Sequence, residues 1–152
     1  MLLDRRWIAA HIPHAGRMCL LDAVLSWDAS HIECRTATHR DAANPLRSHG
    51  SLGCACGVEY AAQAMAVHAA LLPTPAASGA GYLVGLRGTV LHVARLDDIK
   101  ADLHVSAERV HGDAAAAVYR FSVHDQARIY LNGRATVLLD ATLARASMRA
   151  AS

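Results

Sequence analysis

The stretch that decides the fold is Gly53-Cys-Ala-Cys-Gly-Val-Glu59-Tyr-Ala-Ala-Gln63-Ala-Met-Ala-Val-His68-Ala-Ala-Leu-Leu72. It is rich in alanine and free of proline, so it predicts one helix over about 53–72, roughly 30 Å long at the usual rise. Small or apolar residues occupy nearly every face, which marks a helix surrounded by protein and not one lying on a surface. Glu59 is the lone carboxylate in this stretch. A carboxylate in such a place pairs, protonates or does chemistry, because isolated buried charge is too costly. No cationic partner lies close in sequence, and Glu59 is therefore the first candidate for a catalytic group.

Working outward, a chain of 152 residues has the size of one domain, taken here as 1–152 with a core over about 10–140. Apolar residues make up 53% and charged residues 18%, the balance of a globular chain. A net charge of +2 gives no electrostatic case for nucleic acid. The four cysteines (Cys19, Cys34, Cys54 and Cys56) lack zinc-site spacing and read as small core residues. The ten histidines are scattered, with no pair at the spacing of a helical zinc motif, so no metal is expected. His92, His104, His111 and His124 fall in or beside strand-like runs, as exposed or hydrogen-bonded residues. The N-terminus lacks a signal-peptide core and no apolar run reaches transmembrane length, which leads to the expectation of a cytoplasmic protein.

Before the helix, residues 1–12 read as a short amphipathic helix or arm with Trp7 and Ile8 as its apolar contacts. Residues 18–27 and 31–38 read as two strands joined by a tight turn at Asp28, and a polar loop spans 39–52. Pro73 and Pro75 stop the helix, and Ser78, Gly79 and Gly81 make the return. Four more strand-like runs follow, at about 82–93, 101–110, 115–124 and 128–139. Asp97-Asp98, Gly112-Asp113 and Asp125-Gln126 supply the turns between them. In the second run Leu103, Val105 and Ala107 alternate with His104, Ser106 and Glu108, the period of a sheet with one covered face. Two strands, one long buried helix and four more strands predict an α+β hotdog fold: an antiparallel sheet wrapped around a single central helix. So small a sheet cannot bury the whole helix, and a second subunit is expected to close the other side.

Two motifs carry a family resemblance over roughly residues 10–140. Ile12-Pro13-His14-Ala-Gly-Arg-Met18-Cys-Leu-Leu-Asp22 resembles the opening of the β-hydroxyacyl-[acyl-carrier-protein] dehydratases, where a Pro-His pair precedes an apolar strand ending in Asp. Gly57-Val-Glu59-Tyr-Ala-Ala-Gln63 resembles their central-helix motif of a Glu followed four residues later by Gln. The chain is most similar to the dehydratase-like proteins of aryl polyene pigment clusters. It departs from the main family in the loop before the helix. There Pro45-Leu-Arg-Ser-His49-Gly keeps a histidine but lacks the Phe-Pro-Gly that follows the family's catalytic base.

The resemblance implies dehydration of a 3-hydroxyacyl thioester, held on the phosphopantetheine of acyl carrier protein, to the trans-2-enoyl thioester. No separate cofactor is implied. A base removes the proton next to the thioester carbonyl, an acid protonates the departing β-hydroxyl, and donors steady the enolate oxygen. Glu59 is assigned as the acid, since burial of a carboxyl favours its protonated form. His14 is assigned as the base, with His49 as the alternative. Gln63, one turn beyond Glu59, is placed to orient its carboxyl. The amides of Gly53 and Cys54, at the helix start, are the candidate donors to substrate. Against these stand plainer readings: Glu59 paired with Arg87 or Arg47 at an interface, Gln63 as a structural hydrogen-bonder, His14 bonding backbone at a strand entry, and His49 in solvent. Two other functions remain open. One is a hotdog thioesterase using a carboxylate on this same helix to activate water; the other is a non-catalytic partner subunit of an active dehydratase. In assembly the chain is expected as a homodimer or as a heterodimer with a related dehydratase.

Overall fold

The computed structural model describes residues 2–12, 16–72, 82–113 and 115–138. In chain order the elements are β1 (Leu3–Asp4), α1 (Arg5–His11), β2 (Ala23–Trp27), β3 (His31–Thr36), α2 (Gly57–Leu71), β4 (Tyr82–Leu91), β5 (Leu103–Gly112), β6 (Ala116–His124) and β7 (Ile129–Leu138). All seven strands join one antiparallel sheet in the order β1-β2-β3-β5-β6-β7-β4. Strand β4 crosses over to become the free edge beyond β7, and α2 packs on β3, β5 and β6.

Strict alternation sorts the sheet into two faces. Ile32 and Cys34 of β3, Leu103, Val105 and Ala107 of β5, Tyr119, Phe121 and Val123 of β6, and Leu131 and Val137 of β7 point inward and are buried. Against them α2 sets Tyr60, Ala61, Ala64, Met65, Val67 and His68. Alanines keep the helix close to the sheet, and Gly57 brings its first turn closer still. An added Cβ there would lie 2.5 Å from Leu131 Cδ2. The Asp-led turns form as the sequence predicts. Asp113 Oδ1 accepts from the amides of Ala115 and Ala116, and Asp125 Oδ1 from those of Ala127 and Arg128. The expected N-terminal helix forms too, capped by the Asp4 side chain on the Trp7 amide at 2.9 Å and seated by fully buried Ile8.

Two of the boundaries that differ from the sequence reading bear on the site. The central helix opens with a 3₁₀ turn at Cys54–Cys56 and becomes α-helical only at Gly57. The first long strand begins at Ala23, not Met18, because polar side chains already hold the backbone of Met18 and Leu20. The expected return at Pro73, Pro75 and Gly81, and His14 with its Pro13, lie outside the described residues.

The far end of α2 is pinned by a buried polar pair. His68 Nε2 lies 2.8 Å from the Asp28 carbonyl oxygen, which only accepts, so this nitrogen carries the proton. Nδ1 then accepts from the Tyr119 hydroxyl at 2.6 Å. Burial pushes the His68 pKa down and that of Tyr119 up to about 12, so the pair is neutral at physiological pH. His39, also fully buried, has its pKa lowered by burial as well. The unfolded chain therefore binds protons, from about pH 6.5 downward, that the folded chain refuses. Stability is expected to be complete above that pH and to fall between about pH 6.5 and pH 5, before the carboxylates titrate. Urea midpoints across this window should show a shallower decline for His68→Gln than for the wild type; equal slopes would remove His68 from this role.

Candidate active site

Glu59 sits in the first turn of α2, where the helix dipole favours a carboxylate. It is half-buried, and among the described residues its carboxylate has no hydrogen-bond or ion-pair partner. Among the described residues Glu59 pairs with neither Arg47 nor Arg87, the two arginines considered for it at an interface. Arg47 donates to the carbonyls of Gly50 and His39, and Arg87 is exposed on β4. By helical spacing, the stripe of α2 and its leading turn that carries Glu59 also carries Ala55, Ala62, Ala66 and Ala70; Ala66 is buried and the other three are not fully covered. Glu59 is thus the one carboxylate on the side of the helix that the chain's own sheet leaves open.

Gln63 is fully buried but does not orient Glu59. Its Oε1 accepts from the Leu20 amide at 2.8 Å, and its Nε2 donates to the Met18 carbonyl at 2.6 Å. Both ends of the amide are engaged with the segment that follows Pro13-His14. The Leu20 carbonyl, in turn, accepts from the hydroxyls of Thr36 and Thr38 at 2.5 and 2.7 Å. Thr38 also meets the Tyr60 hydroxyl at 2.8 Å, which Asn44 contacts through Nδ2 at 2.9 Å. Tyr60, fully buried in the core, is therefore also a polar link, its pKa raised by burial.

The start of the helix corrects a second expectation. Residues 52–54 run antiparallel to 94–96, with the Cys54 amide donating to the Ala94 carbonyl at 3.0 Å and the Leu96 amide to the Leu52 carbonyl at 2.8 Å. The Cys54 amide is engaged by the fold and is not an open donor. Gly53, in the non-bonded position of this ladder, turns its N–H away from the partner strand. Gly53 and Ala55 are exposed, and among the described residues neither amide has a protein acceptor. Asp97 fastens this ladder, accepting from the Leu52 amide at 2.8 Å while ion-paired to Arg95. The guanidinium beside it, then the Leu52 amide, holds the Asp97 carboxyl well below its usual range. Cys54 is buried with its thiol pKa pushed up, as suits a core cysteine.

His49 is exposed at the tip of a two-residue turn in which Ser48 and Ser51 exchange backbone hydrogen bonds at 2.9 and 3.1 Å. Its φ of 53° lies in the left-handed region, as does the 76° of Gly50. A non-glycine residue is uncommon there, though histidine is among the types that tolerate it. Arg47, bonded to the Gly50 carbonyl, braces the turn. His49 is thus held out on a defined hairpin and not packed within the core.

The antiparallel sheet closed around one long helix makes this a hotdog protein. A family model described as ApeP dehydratase, ApeP-like, matches residues 6–147, and the chain belongs to that family. Among solved structures, the dehydratase heterocomplex ApeI:P from Xenorhabdus doucetiae matches with a TM-score of 0.76 at 21% identity, covering 87% of this chain and 90% of that one. Zebra fish thioesterase superfamily member 2 matches with a TM-score of 0.64 at 16% identity, covering 90% and 99% of the two chains. S. sahachiroi AziG matches with a TM-score of 0.57 at 17% identity, covering 76% and 88%. At these identities the likeness carries the fold alone. No curated protein matches in sequence. Among the described residues no helix is long and apolar enough to cross a membrane.

Replacing Gln63 by Leu keeps its bulk but leaves the Leu20 amide and the Met18 carbonyl without partners. The expected loss is about 2–4 kcal/mol, the scale for two stranded polar groups. Urea unfolding measures it, and a loss below about 0.5 kcal/mol would mean that water replaces the clamp freely.

Proposed function

We propose that this protein serves the dehydration of a 3-hydroxyacyl thioester, carried on acyl carrier protein, to the trans-2-enoyl thioester, in making a polyene or fatty acyl chain. The observation that carries the reading is Glu59 on the open side of α2, without a partner among the described residues, in a chain of the ApeP dehydratase family. Glu59 is the acid that protonates the leaving hydroxyl. The exposed amides of Gly53 and Ala55 are the donors towards the thioester oxygen, at the positive end of the helix. His14 is the favoured base, because the Gln63 clamp fastens the segment just after it to the helix that bears Glu59. His49 remains the alternative. The phosphopantetheine arm brings the substrate, and no further cofactor enters the reaction.

The site is proposed to be completed by a second subunit. Leu83, Leu86, Val90 and Leu91 of the edge strand β4 are 37–48% exposed, an unpaired apolar edge of the kind that invites strand pairing. That subunit is a second copy or a related dehydratase. The solved ApeI:P relative, described as a dehydratase heterocomplex, favours the related dehydratase. On that arrangement this chain is either the acid-bearing half or a supporting subunit of an active neighbour.

Glu59→Gln separates these roles. In the purified protein, alone and with a related dehydratase if one co-purifies, turnover of 3-hydroxyacyl carrier protein should fall by roughly 10²-fold or more in the variant, with unfolding unchanged. Undiminished turnover would assign Glu59 to structure and this chain to the supporting role, whereas a free acid as product would point to thioester hydrolysis. His14→Ala is expected to lower turnover on a similar scale and His49→Ala to leave it within about threefold. The reverse ranking would move the base to His49.

A further inference from the structure

On the outer face of the sheet, away from α2, three arginines stand in one row. Strand register pairs Arg87 of β4 with Arg134 of β7, and Arg134 with Arg120 of β6. Neighbouring strands lie about 4.8 Å apart, so three guanidinium groups crowd a line of roughly 10 Å. Like charges directly opposite one another destabilise a sheet. All three side chains are exposed, and among the described residues none makes a hydrogen bond. Among the described residues the carboxylate paired with the row is Glu108, at its far end, 3.9 Å from Arg120, with both side chains about half exposed. The flanking rows are neutral: Asn132 and Ser122 on one side, Thr136 and Val118 on the other. A cleft of about 420 Å³ opens beside the row, lined among others by Arg87, Arg134, His111 and Thr136.

We propose that this row is an anion-binding site for a ligand bearing two or more phosphate groups. Planar guanidinium groups bind phosphate oxygens through paired hydrogen bonds, and an oligophosphate laid along the row would offset the mutual repulsion of its arginines. Thr136 and His111 add further hydrogen-bonding groups within the cleft. The small net charge of +2, and the acidic end of the row at Glu108, favour a compact anion over a nucleic acid. The site is separate from Glu59, which lies on the helix covered by the opposite face. Pairing of a partner strand along the β4 edge would leave this outer face open. The inference does not depend on the dehydratase reading.

The test is thermal unfolding and isothermal titration of the full-length protein with sodium tripolyphosphate, against sodium chloride at matched ionic strength. The wild type should gain Tm beyond the chloride control. Arg134→Gln should unfold in chloride no earlier than the wild type, since it relieves repulsion, yet bind tripolyphosphate about tenfold more weakly. Arg120→Gln is the second variant should Arg134→Gln not fold, and Lys100→Gln, outside the row, should behave as wild type. A comparison of ADP with inorganic pyrophosphate distinguishes the sources. Tighter binding of ADP assigns a nucleotide whose base enters the cleft, and equal binding assigns the phosphate groups alone; both support the site. A wild-type gain no larger than that in chloride, or an undiminished gain in both arginine variants, overturns it.

Discussion

The double hydrogen bond between the buried Gln63 amide and the backbone of Met18 and Leu20 is the constraint on which the site's layout depends. A helix as apolar as α2 has few polar groups with which to hold an irregular segment in register, and apolar contacts do not distinguish one backbone placement from the next. An amide that must satisfy both its donor and its acceptor in a dry environment does distinguish them. The Leu20 carbonyl, held by Thr36 and Thr38, extends the fixation to β3, and Tyr60 with Asn44 extends it to the loop before α2. The segment after His14, the end of β3 and the first turns of α2 thereby form one connected unit.

The same economy of polar groups explains why Glu59 stands apart. The sheet takes the face of α2 that bears Tyr60, Ala64 and Val67, and Gln63 is absorbed by the N-terminal segment. What remains is a stripe of alanines interrupted by one carboxylate, beside a helix start whose Gly53 and Ala55 amides have no acceptor among the described residues. At the other end of the sheet, β4 presents an apolar edge, with Leu83, Leu86, Val90 and Leu91 exposed. Both surfaces are what a chain looks like when part of its covering is expected from a second subunit.

Much of this was legible in the sequence, and the reasons are physical. Alanine content and the absence of proline located α2, alternation located β5 to β7, and aspartates marked the turns, because each of those signals acts over a few residues. Gln63 drew notice as a polar group in an apolar helix, but its partners lie more than forty residues away and carry no side-chain signature, since they are backbone atoms. The Cys54 amide was misassigned for a related reason: the ladder with 94–96 that takes it depends on the path of the β4–β5 connection. The arginine row is invisible until register is known, as Arg87, Arg120 and Arg134 become neighbours only through strand pairing.

If the Gln63 clamp organises the site, the Leu20 amide belongs to the cooperative core and not to a loose N-terminal strap. Amide hydrogen exchange of Leu20 measures this directly. The account predicts protection equal to that of Val105 in the middle of β5, with exchange only through global unfolding. Exchange as fast as that of the exposed turn at His49–Gly50 would contradict it, and would leave the segment bearing His14 without the anchor on which the proposed site relies.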